Sequence, residues 1–144
     1  MKSHTKPNTA FWIIAILALL WNLIGIYFWL YEYFLITDDI RATLPAGQVE
    51  LMDAAPAWGM VVYGIAVFSG VLASILLIAR KKLCVPIFLI SLLAILVQMG
   101  HWIFAMDAVG VLGPEAIVMP LIVIAIAIFL YYYSKGAALK GWLR

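Results

Sequence analysis

The sequence predicts an all-α fold: an integral membrane four-helix bundle, one transmembrane domain over residues 1–144, with both termini cytoplasmic. Three observations carry this reading. Hydrophobic residues make up 67% of the chain and charged residues 11%, against roughly 45–50% and about 25% in soluble domains. So little charge cannot cover a water-facing surface, which excludes a soluble enzyme, a disordered chain and a nucleic-acid binder. Four apolar stretches approach or exceed the ~20 residues that a bilayer-crossing helix needs. The charges gather at the ends of these stretches.

The first span is read over 11–35. It is too long for a signal peptide and ends in Trp29, Leu30 and Tyr31 rather than at a small-residue cleavage site, so it is a retained helix. The second span, 57–79, follows Pro56; the third is 83–106; the fourth, 115–133, follows Pro114. Proline suits a first helical turn, which has no use for the missing N–H. Inside the fourth span Pro120 should loosen the opening turns. Each span must be helical, because lipid offers backbone groups no partner.

Eight of the nine lysines and arginines lie on one side: Lys2 and Lys6, then Arg80, Lys81 and Lys82, then Lys135, Lys140 and Arg144. Arg41 alone lies opposite, and all seven acids fall in or near that opposite side. The positive-inside rule puts the basic side in the cytoplasm. Trp12, Trp58, Trp102, Trp142 and the tyrosines at 131–133 sit where an interfacial aromatic belt belongs.

The connection 36–56 is the one long outer loop. Thr37-Asp38-Asp39 reads as a helix stop or a new cap, Pro45-Ala46-Gly47 as a turn, and 48–55 as a short interfacial helix. It serves either as a lid over an outward-facing cavity or as a plain connector. The tail 134–144, with Lys135, Lys140, Trp142 and Leu143, is expected to lie on the anionic inner leaflet.

Helices in lipid associate through small and polar residues. Such residues recur at 3–4 spacing as Ala15, Ala18, Asn22, Gly25, Trp29 and Glu32 in the first span. They recur as Gly59, Tyr63, Ala66, Gly70 and Ala73 in the second, and as Ser91, Ala94, Gln98, His101 and Ala105 in the third. This is the repeat of a left-handed bundle seam. Ala66, Gly70 and Ser74 also form a small-xxx-small run, the expected contact face between two copies. By depth, Glu32 lies ~5 Å, His101 ~8 Å, Tyr63 ~9 Å and Gln98 ~12 Å from the outer end, with Asn22 near the midplane.

These five residues, His101, Gln98, Glu32, Tyr63 and Asn22, are the candidate ligand-binding set. Polar groups at membrane depth are expensive and by default functional. The competing reading is interhelical hydrogen bonding, at about 0.6 kcal/mol per bond. Nothing catalytic stands out: there is no Ser-His-Asp set, HExxH, Walker A or GxGxxG motif. The reading is therefore a non-enzyme with no cofactor. The one cysteine, Cys84, permits no internal disulfide; it reads as a buried thiol, or as an acylation site beside Lys82. His101, Glu32 and Asp107 form a weak metal set, so no metal is expected.

Leu20-Trp21-Asn22-Leu23-Ile24-Gly25, Pro56-Ala57-Trp58, Arg80-Lys81-Lys82, Val97-Gln98-Met99 and Lys140-Gly141-Trp142-Leu143 together resemble a small, uncharacterised family of bacterial four-helix inner-membrane proteins. Its members often carry the label "sugar transporter". The resemblance covers most of the chain and implies a multi-pass protein of the bacterial inner membrane. It carries over no residue role.

The expected function is a transporter or binder of a small polar solute through an outward-facing polar pocket. A four-helix core is narrow, so this reading calls for a homo-oligomer. The alternative is a non-catalytic accessory or assembly subunit, partnered by other membrane subunits. A redox or quinone-binding role would rest on His101 and the aromatic content. The lipid bilayer is a partner in every case and nucleic acid in none.

Overall fold

The computed structural model describes residues 5–144; Lys2 and His4 lie outside them. Among the described residues every regular element is helical. Four helices are long and apolar enough to cross a membrane: Thr9–Leu35, Ala57–Ile78, Cys84–Ala105 and Pro114–Leu139.

Helix α1 (Thr9–Leu30) starts where the Asn8 side chain accepts the Phe11 N–H at 2.9 Å. It runs into a π turn, Tyr31–Leu35, closed by the Ile36 N–H on the Tyr31 carbonyl at 3.0 Å. Thr37 then caps α2 (Asp38–Thr43), and Pro45 opens α3 (Ala46–Ala54). The long connection therefore holds two short helices where one was expected. Arg41 on α2 pairs with Asp53 on α3 at 2.6 Å, and Leu51 is the one buried residue of α3.

Helix α4 (Ala57–Ile78) ends in a Schellman motif: the Arg80 N–H donates to the Leu77 carbonyl and the Lys81 N–H to the Leu76 carbonyl. Helix α5 (Cys84–Gly100) passes into a second π turn, His101–Ala105. Asp107, in the left-handed region at φ 50°, caps the short α6 (Ala108–Leu112). A 3-10 turn over Pro114–Ile117 leads into α7 (Val118–Leu139).

The fourth span is longer than predicted. Helix α7 runs through Ser134, Lys135 and Gly136 to Leu139. It stops at Gly141, where φ is 79° and the Trp142 N–H donates to the Ala137 carbonyl. Only glycine takes that conformation without a Cβ clash. Gly141→Ala is expected to lose about 1–2 kcal/mol, read as a lower unfolding midpoint in mixed micelles.

The tail corrects the inner-leaflet expectation. Leu143 is fully buried, and Trp142 packs edge-on against Phe11 at 5.8 Å. The Arg144 N–H donates to the Arg80 carbonyl, and the Lys82 N–H to the Arg144 carbonyl, both at 2.8 Å. The Arg80 guanidinium donates to the Trp142 and Thr5 carbonyls. The basic end is thus closed by the tail, the loop at 80–82 and the segment before α1.

Helix α4 packs between α1 and α5, and α5 packs on α7, whereas α1 and α7 do not pack closely along their lengths. One core fills the basic half, with Phe11, Ala15, Ala73, Leu77, Cys84 and Phe88 among its buried members. Cys84 is fully buried there, which removes the acylation reading.

The Ala66, Gly70 and Ser74 face is consumed within the chain. The Ser91 hydroxyl donates to the Ala66 carbonyl at 2.7 Å, and the Asn22 amide donates to the Ser74 hydroxyl at 3.4 Å. Asn22 lies against Gly70 so closely that a Cβ there would come within 2.0 Å of its Oδ1. All three residues are buried, so this stripe is the internal seam and not a contact between copies.

Candidate functional site

In the acidic half the helices diverge around a cavity of about 810 Å³, within the roughly 300–1,000 Å³ of small-molecule pockets. Its deepest wall residues are Trp21 on α1, Val67 on α4, Ile95 on α5 and Val123 on α7. Each lies near the middle of its span, where the packed core takes over. Gln48, Leu51 and Met52 of α3 reach it from the acidic end, together with Leu112 and Glu115. The chain alone therefore borders a ligand-sized volume in its acidic half.

All five candidate side chains line this cavity. Glu32 and His101 each stand on a π turn, one ending α1 and the other ending α5. Such turns widen the helix and re-aim its side chains, and they recur at functional sites. Nothing in the composition of either segment announced them. Tyr63 comes from α4 and Gln98 from the last turn of α5; Asn22 marks the deep end.

Their hydrogen bonding separates them. The Asn22 amide donates to the Ala18 carbonyl at 2.8 Å and to Ser74, so it is structural as well as wall-lining. The side chains of Glu32, Tyr63, Gln98 and His101 make no protein hydrogen bond among the described residues. None of their polar atoms is both fully buried and without a partner, so these atoms face open space. The interhelical-bonding reading thus holds for Asn22 and not for the other four.

Sequence reasoning missed several wall residues. Trp58, read as an interfacial anchor, meets the His101 ring edge-on at 4.7 Å. Tyr33 meets the Tyr63 ring at 6.3 Å, and its hydroxyl lies near Gly59 beside the Gln98 amide. Trp29 braces the wall from behind: its ring lies on Gly64 and its indole N–H donates to the Met60 carbonyl at 2.9 Å.

The weak metal set does not assemble. Among the described residues no three His, Cys, Asp or Glu side chains come together as a metal site; Asp107 instead caps α6 through Gly110. The chemistry available is recognition by two carboxylates, one imidazole, three amides and three phenols in a largely aromatic and aliphatic shell. Comparison with family models, curated proteins and solved structures finds no match to this chain.

Proposed function

We propose that this protein binds a small ligand within the membrane and serves as its carrier or receptor. It would lie in a bacterial inner membrane with the basic end in the cytoplasm, so that the cavity belongs to the outward half. One observation carries this reading: four polar side chains from three helices line a single ligand-sized cavity and have no hydrogen-bond partner among the described residues. Polar groups held at membrane depth without a partner are costly unless something else satisfies them. The packed basic half also gives the cavity a floor, which favours an alternating or receptor-like action over an open pore.

Native mass spectrometry of the gently extracted protein tests this. Retention of a small molecule is expected. His101→Ala should lower that retention at least tenfold. It should change unfolding stability by less than about 1 kcal/mol, because one aromatic contact is all it removes. A stoichiometric assembly with unrelated subunits and no small molecule would overturn the proposal in favour of an accessory subunit.

A further inference from the structure

A second pocket adjoins the cavity. A crevice of about 510 Å³ separates α1 from α7, walled by Ile14, Leu17 and Leu20 on one side and Ile126, Phe129 and Leu130 on the other. Trp21 and Ile24 line both the crevice and the cavity. From Ile14 to Ile24 the crevice runs ~15 Å along α1. Its walls are apolar throughout; Leu17, Leu20, Ile24 and Phe129 are exposed at its edges, and Ala18 and Leu130 are buried.

The cavity itself carries charge of one sign. Glu32 stands in its wall and Glu115 at its rim, and no lysine or arginine lines it. Neither acid has an ion-pair partner among the described residues. The rings of Phe28, Tyr33, Trp58 and Tyr63 surround the same space. A carboxylate without a counter-charge, set among aromatic faces, suits an organic cation: the carboxylate supplies the charge and the ring faces supply cation–π attraction. A phosphate head would find no basic partner there.

We infer that cavity and crevice together bind a cationic amphiphile, with its ammonium head beside Glu32 and its alkyl tail between α1 and α7, admitted sideways from the bilayer. This rests on the ligand-binding proposal and names its ligand class. The head would lie in the acidic half, and the tail would run past Trp21 and Ile24 at mid-span toward Ile14 in the basic half.

The test uses the full chain in lipid nanodiscs and two photoreactive probes with the same diazirine-bearing dodecyl tail. One carries a trimethylammonium head, the other a phosphate head. The ammonium probe should label crevice residues of α1 and α7 at least tenfold more than the phosphate probe. Excess unlabelled dodecyltrimethylammonium should compete this labelling away. Glu32→Gln, which removes the charge, and Ile24→Trp, which fills the junction, should each lower it at least fivefold at unchanged unfolding midpoint.

Equal labelling by the two probes overturns the inference, since the crevice then accepts any lipid chain. Competition by tetramethylammonium as strong as by the dodecyl compound overturns the part assigned to the tail. In both cases a small molecule retained by the native protein leaves the ligand-binding proposal standing. The absence of both competable labelling and a retained molecule overturns the two together.

Discussion

Gly70→Ala is expected to destabilise the protein by about 2–4 kcal/mol, whereas Gly59→Ala, eleven residues earlier on the same helix, should leave it unchanged or gain up to about 1 kcal/mol. The two sites differ in what a methyl group would meet. At Gly59 the nearest atoms are the Gln98 amide at 3.7 and 3.8 Å and the Tyr33 hydroxyl at 3.9 Å, ordinary contact distances at the edge of open space. At Gly70 the Asn22 Oδ1 would lie 2.0 Å away and its Cγ 2.7 Å away. That amide cannot swing aside cheaply, because it is buried and donates to the Ala18 carbonyl at 2.8 Å. Displacing it strands polar atoms in a lipid-surrounded core, where they have no water to turn to. Asn22→Ala in the Gly70→Ala background removes the clashing group, and should bring the double variant back to within about 1 kcal/mol of the parent. Unfolding in mixed micelles reads all four proteins; a harmless Gly70→Ala would show that α1 and α4 do not meet at this point.

The residues at that seam also show what the sequence could and could not reveal. Spans and charge sorting were legible, because a bilayer imposes length and polarity on every crossing helix. The 3–4 pattern correctly put Ala15, Ala18, Asn22, Gly59, Ala66, Gly70, Ala73 and Ser91 in buried positions. It did not say whose surface would approach them. A small-residue stripe signals close contact without naming the partner, and here the partner is Asn22 of the same chain. The end of α7 was misread for a related reason. Lys135 and Gly136 look like tail, yet a helix at a membrane boundary tolerates both, and the true stop is the left-handed Gly141. The π turns under Glu32 and His101 carry no glycine or proline signal. They are set by packing, and so were invisible. Depth counting gathered the polar residues in one half, but the empty volume between them arises from the divergence of α1 and α7, which no local pattern encodes.

The same asymmetry makes the two halves unequal in stability. Phe11→Ala is expected to cost about 3–5 kcal/mol. Its ring is fully buried, stacks on Tyr133 at 6.4 Å and meets Trp12 and Trp142 edge-on. Truncating it opens a void where the tail, α1 and α7 join, and the surrounding rings lose contacts that lipid cannot replace from outside. Tyr63→Ala removes a ring of similar size from the acidic half and should cost only about 0.5–1.5 kcal/mol, chiefly its edge contact with Tyr33. Much of that ring borders the cavity, so its loss enlarges a space that already exists. Mixed-micelle unfolding of the two variants reads the difference directly. Hydrogen exchange should agree, with amides of α1 beyond Asn22 and of α7 before Val123 exchanging faster than those beside Phe11 and Leu130. Equal costs would mean that the acidic half is as tightly packed as the basic half. A large difference would identify the basic end as the fixed part of the molecule. The walls around the cavity in the acidic half would then be the part of the bundle free to move.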